Sequence, residues 1–145
     1  MYLDTSVLVK LYVNEPDSLK CDLIVGGETL VSSELAHGEV LAALLSKERA
    51  RQISAAERTE AWNRFLEDNT EGKVYLVPLN GIVVREAAEL MEEVHPGVPL
   101  RTLDAIHLAT FASVDAGPLF TKDKRMLDAA RKLNYPLAVA DGPAK

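Results

Sequence analysis

Asp4, Glu39, Asp104 and Asp123 stand apart from the other acidic side chains of this chain by their surroundings. Asp4 follows the short apolar run Met1-Tyr2-Leu3, and Asp123 follows Pro118-Leu119-Phe120 after Thr121-Lys122. Glu39 has Ala36, Ala42 and Ala43 at helical spacing, and Asp104 lies near the start of the otherwise apolar stretch Leu103-Asp104-Ala105-Ile106-His107-Leu108-Ala109. Taken singly, each has an ordinary explanation. Asp4 and Asp123 could cap helices, Asp104 could complement a helix dipole, and Glu39 could sit on a solvated face. A carboxylate on a small apolar face is nevertheless expensive to bury unless a cation meets it. One cation site accounts for all four acids together. Hard cations such as Mg²⁺ or Mn²⁺ take oxygen ligands and keep several waters, so a few carboxylates suffice. Two such ions about 4 Å apart can activate a water and stabilise the leaving oxygen in phosphodiester hydrolysis.

Composition permits that chemistry without pointing to it. The 145 residues suit one domain, 1–145, and carry 16 basic against 22 acidic side chains, a formal charge of −6. That balance argues against a broad basic face for nucleic acid. Two divalent ions would bring the charge to about −2 and remove most of the objection. The single Cys21 excludes an internal disulfide framework and a four-cysteine zinc site, and fits a reducing, intracellular setting. No apolar run approaches the roughly 20 residues of a membrane span, and the start Met1-Tyr2-Leu3-Asp4 carries no basic signal-peptide region. No repeat or low-complexity stretch interrupts the chain.

The elements that must position the acids alternate. Strands are expected at Met1–Leu3, Thr29–Val31, Val74–Leu79, Pro118–Phe120 and Leu137–Val139. Helices are expected over 7–13, from Ser18 to about Val25, from Glu34 to about Ala50, from the capping box Ser54-Ala55-Ala56-Glu57 to about Thr70, from Ile82 to about Val94, over Thr102–Ala116 and over Lys124–Leu133. Alternation of this kind implies a parallel sheet covered on both faces. In such sheets the working site lies beyond the carboxyl ends of the strands, where Asp4 and Asp123 fall.

Four pieces, Tyr2-Leu3-Asp4-Thr5-Ser6, Glu39-Val40, Leu103 to Ala109, and Thr121-Lys122-Asp123-Lys124-Arg125, recur in an order that resembles the PIN-domain ribonucleases, and among them the VapC-type toxins of prokaryotic type II toxin–antitoxin pairs. The resemblance runs over nearly the whole chain. It implies a three-layer α/β/α fold around a central, mainly parallel twisted sheet of four to five short strands. It also implies a metal-dependent endoribonuclease in which Asp4, Glu39, Asp104 and Asp123 hold Mg²⁺ or Mn²⁺. Thr5 or Ser6, and Thr121, match hydroxyl positions that orient a carboxylate or water. Lys122 departs from the aromatic often found between the Thr and the Asp. The family further suggests a homodimer, a cytoplasmic setting, an RNA substrate and a cognate antitoxin whose segment blocks the acidic cleft.

Other residues are weighed against plainer roles. Arg101, Lys122, Lys124 and Arg125 are candidates for a basic rim that binds flanking phosphates, against ordinary solvated charge. His107, one helical turn after Asp104, reads as a packing or ligand-supporting histidine because hard Mg²⁺ prefers oxygen, with a base or ligand role as the alternative. His37, His95 and Cys21 have no partner at ligand or nucleophile spacing. Lys47, Arg49, Arg51, Arg58 and Arg64 read as a solubilising face and Trp62, Phe65 and Leu66 as packing. A non-catalytic scaffold on the same fold is the competing function. A phospho-acceptor module is a weaker competitor, since Leu76-Val77-Pro78-Leu79 ends without an acid. A phosphatase needing Asp-x-Asp after its first strand is excluded by Ser6.

Overall fold

The computed structural model describes residues 1–138. Four strands, β1 (Tyr2–Leu3), β2 (Leu30–Ser33), β3 (Val74–Val77) and β4 (Leu119–Phe120), form a sheet of order β3-β2-β1-β4 in which every pairing is parallel. Among the described residues seven helices surround it: α1 (Thr5–Leu8), α2 (Ser18–Val25), α3 (Ala36–Arg49), α4 (Ala55–Thr70), α5 (Gly81–Val94), α6 (Thr102–Ala112) and α7 (Lys124–Lys132), with a 3₁₀ turn over Val9–Leu11.

Side chains alternate faces along a strand, so each short strand feeds two cores. Tyr2 and Leu119 join a core built with α5, α6 and α7, including Val83, Ala87, Leu108 and Met126. Leu3 and Phe120 join the opposite core, built with α1 to α4, including Leu8, Leu44 and Phe65. This is the expected three-layer α/β/α arrangement. β1 and β2 are linked through the second face, whereas α5 and α6 bring the chain back over the first face to β4 on the other side of β1. The two directions of winding part between β1 and β4, which opens a crevice beyond their carboxyl ends.

Several boundaries differ from the sequence expectation for identifiable reasons. β3 stops at Val77 because Pro78 has no N–H to donate and the Leu79 N–H turns to the Glu34 carboxylate at 2.8 Å. The third helix begins at Ala36, not Glu34, because the Ser33 hydroxyl accepts from Leu35 N and shapes a turn first. The helix expected to reach Ala116 ends at Ala112, where the Ser113 hydroxyl bonds back to the Thr110 carbonyl at 2.7 Å. The apolar run after Asp4 turns helical earlier, at Thr5, and tightens into the 3₁₀ turn. Leu137 makes only an isolated parallel bridge to Leu119, and Val139 of the expected fifth strand lies outside the described residues. The α4 capping box is present as read: Glu57 N–H donates to Ser54 Oγ at 3.0 Å.

Candidate active site

The crevice holds a cavity of about 460 Å³, and Asp4, Glu39, Asp104 and Asp123 all line it. They arrive from four separate places: the end of β1, the first turn of α3, the first turn of α6 and the N-cap of α7. Thr5, Ser6, His107 and the segment 101–103 complete the wall.

Asp4 occupies the N-cap position of α1 but makes no side-chain cap bond, so the ordinary explanation for it fails. Its Oδ1 instead accepts from Ser6 Oγ at 2.8 Å. Ser6 Oγ in turn accepts the N–H of Lys122 at 3.2 Å, tying the turn after β1 to the turn after β4. Asp4 is only 4% exposed. Burial pushes its carboxyl up to about 6, against the opposing pull of the Ser6 hydroxyl and of His107.

Asp123 does cap its helix, with Oδ1 accepting from Met126 N at 3.0 Å, and lines the cavity as well. Thr121 Oγ1 accepts the Asp123 N–H at 3.0 Å and so shapes that turn. Asp104 is held above the usual carboxylate range, first by burial and then by the charge of Asp123. Its Oδ2 is buried without a hydrogen-bond partner, the nearest cation being Arg101 Nε at 3.7 Å. Glu39 Oε1 accepts from Thr5 Oγ1 at 3.1 Å and lies 2.6 Å from His107 Nε2. His107 is 2% exposed, and its Nδ1 meets the Tyr2 hydroxyl at 2.9 Å. This Tyr2–His107–Glu39 chain was beyond sequence reasoning, which saw only a histidine one turn from Asp104.

The donor set is all oxygen, as a hard cation requires. Asp4, Glu39 and Asp123 each bond through a named oxygen, Oδ1, Oε1 and Oδ1, and the second oxygen takes no part in those bonds. Among the described residues no group of three or more His, Cys, Asp or Glu side chains is drawn together as tightly as the ligands of one ion. The four acids therefore share a cavity without closing into a single ligand cluster.

The basic rim is only partly assembled. Arg101 lines the acid cavity. Lys124 and Arg125 line a neighbouring depression of about 350 Å³ that shares Asp123 as a wall. Lys122 lines neither; its ammonium lies 3.8 Å from Asp17, while Lys124 is bonded to Asp128 at 2.6 Å. Lys47, Arg58 and Arg64 are also engaged, with Glu15, Glu48 and the Leu11 carbonyl. His37 packs edge-on against Trp62 and Phe65, and Cys21 is buried in the core.

The chain is similar to known proteins over most of its length. A family model described as the PIN domain matches residues 1–132, a span that takes in all four acids. The chain is 41% identical over 138 residues to Ribonuclease VapC46 of Mycobacterium tuberculosis (strain ATCC 25618 / H37Rv), covering 92% of each. It is 30% identical over 145 residues to Ribonuclease VapC47 of Mycobacterium tuberculosis (strain CDC 1551 / Oshkosh), covering 95% of each.

Proposed function

The chain belongs to the PIN-domain family, and from that premise we propose that it is a metal-dependent endoribonuclease acting as the toxin of a toxin–antitoxin pair. The observation that carries the reading is the convergence of four carboxylates on one cavity in which Asp104 Oδ2 is buried with no hydrogen-bond donor and only the Arg101 guanidinium, at 3.7 Å, as a counter-charge. A buried anionic oxygen with no donor is costly, and a cation is the simplest group to relieve it.

Asp4, Glu39, Asp104 and Asp123 would hold Mg²⁺ or Mn²⁺. When bound, such an ion lowers the pKa of a water and neutralises charge on the phosphate oxygens. The remaining work belongs to the chain. Ser6 fixes the Asp4 carboxylate, Thr5 fixes Glu39, and Thr121 shapes the turn that presents Asp123. Arg101, 64% exposed beside the acids, is placed to accept a phosphate, with Lys124 and Arg125 beyond it for the next one along the strand. The attacking group is water, so no side-chain nucleophile is needed.

RNA as substrate follows the names of both relatives, and the cytoplasm is the compartment in which the reaction is placed. A cognate antitoxin covering the acidic cavity and a homodimer complete the proposal. No helix among the described residues is long and apolar enough to cross a membrane.

The test is direct. Purified protein with end-labelled RNA and Mn²⁺ or Mg²⁺ gives internal cuts whose ends carry no 2′,3′-cyclic phosphate, because water rather than the 2′-hydroxyl attacks. Cleavage that survives excess chelator, or persists in Asp4→Asn, refutes the mechanism. Growth arrest on expression, relieved by a small DNA-binding protein encoded directly upstream, tests the toxin assignment; absence of that reading frame favours a free-standing nuclease.

A further inference from the structure

We infer that His107 and Tyr2 are positioning residues that set the Glu39 carboxylate for cation binding, through a Tyr2–His107–Glu39 hydrogen-bond chain running from the core into the cavity. The inference rests on the reading of Glu39 as a cation ligand and adds the device that orients it.

Geometry fixes the direction of the bond at the Glu39 end of the chain. His107 Nε2 lies 2.6 Å from Glu39 Oε1. A carboxylate only accepts, so Nε2 must carry a proton; a bare nitrogen would set two lone pairs against each other. This holds for the neutral ring and for imidazolium alike. On the far side, Nδ1 meets the Tyr2 hydroxyl at 2.9 Å, and that phenol is buried beneath the sheet at 0% exposure. Tyr2 therefore locks the imidazole plane from the protein side, helped by an edge-on contact of the two rings at 6.1 Å between centroids.

Glu39 needs such a device more than the three aspartates do. It reaches the cavity on a longer side chain, and 26% of that side chain is exposed. An unrestrained glutamate loses rotamer freedom when it binds a cation. His107 and Thr5 both donate to Oε1, which holds the side chain in place beforehand and reserves Oε2 for a cation. Because Asp4 follows directly on β1, which supplies Tyr2, the segment that carries one acid also props the histidine that aims another.

The test uses the full chain, stripped of metal, with Mn²⁺ binding followed by electron paramagnetic resonance. His107→Leu is expected to weaken Mn²⁺ binding by roughly ten- to a hundredfold, the usual cost of losing an outer-sphere partner. His107→Gln, whose amide N–H stands where Nε2–H stood, should recover most of that loss. Tyr2→Phe should weaken binding less than His107→Leu, and in a Glu39→Gln background His107→Leu should add nothing further. Nitrogen-15 spectra of the metal-free wild type, which need no variant to fold, should show His107 Nε2 protonated. A bare Nε2, or Mn²⁺ affinity that drops in Glu39→Gln but not in His107→Leu, overturns the inference alone. Affinity unmoved by Glu39→Gln would overturn the parent reading of Glu39, and this one with it.

Discussion

Ser6 donates its hydroxyl to Oδ1 of Asp4 at 2.8 Å while accepting the backbone N–H of Lys122 at 3.2 Å. One small side chain thus orients the most buried of the four acids and joins the two turns that flank the crevice. Ser6→Ala should cost about 1–2 kcal/mol of stability, since it removes a donor to a buried carboxylate. It should also raise the Asp4 carboxyl further, moving the acid limb of the cleavage pH profile upward. Ser6→Thr keeps the hydroxyl and should leave that limb in place. Identical profiles for Ser6→Ala and wild type would show that the contact does not tune Asp4.

Burial lifts the Asp4 carboxyl from its ordinary 3.8 to about 6. The folded chain therefore binds this proton more tightly than the unfolded chain does. Stability owed to the group is fullest below 3.8 and falls as pH rises through the window to about 6. Above that the loss is complete, at about 3 kcal/mol. In chelator at pH 8, Asp4→Asn should unfold at higher denaturant than wild type, with a gain of about 1–3 kcal/mol that fades as pH falls through the same window. Equal midpoints at pH 8 would mean that Asp4 is not held in its charged form against a desolvation cost.

The sequence made the four acids legible only as a set: each alone has an ordinary reason, as Asp123 does in capping α7, and one cation site accounts for all four together. Order along the chain then supplied the family. The Ser54–Glu57 capping box was equally legible, because its chemistry lies within four consecutive residues. What escaped were contacts decided by tertiary partners. The length of β3 depended on Glu34 capturing Leu79, 45 residues away, and the role of His107 depended on Tyr2, 105 residues away. Asn80, whose side chain accepts from Ile82 and Val83, marks the start of α5 with an N-cap signal that the sequence carries beside Gly81.

That capping box offers a control for the active-site variants. Ser54→Ala removes the bond to Glu57 N and should cost about 1 kcal/mol in chemical denaturation. RNA cleavage under native conditions should be unchanged, because α4 contributes no residue to the acid cavity. A loss of activity that tracked such small stability losses would undermine every assignment made from cleavage alone.

Arg101 and the Lys124–Arg125 pair can be separated by salt dependence. Each phosphate contact with a single strand contributes about −0.7 to the slope of log affinity against log salt. Lys124→Ala with Arg125→Ala should flatten the slope by about 1.4, and Arg101→Ala by about 0.7, measured on RNA too short to be cut or in an Asp4→Asn background. Arg101 has a second effect, because it is the nearest cation to the buried Asp104 Oδ2. Its removal should therefore tighten Mn²⁺ binding while weakening RNA. An unchanged slope in both variants would reduce the rim to solvated charge.

A cation bound in the cavity would also appear as stability, because a folded-state ligand lowers the free energy of the folded state only. Mn²⁺ at a hundredfold excess over its Kd should add about 2.7 kcal/mol to unfolding. The effect should be larger at pH 8 than at pH 5, since proton and cation compete for Asp4, whose carboxyl is raised to about 6. Asp104→Asn replaces a carboxylate that burial holds above its usual range with a neutral amide and should lose most of the Mn²⁺ increment, while its metal-free stability rises. Differential scanning fluorimetry with and without chelator reads both quantities on the same sample. A full Mn²⁺ increment in Asp104→Asn would place the bound cation somewhere other than the cavity between β1 and β4.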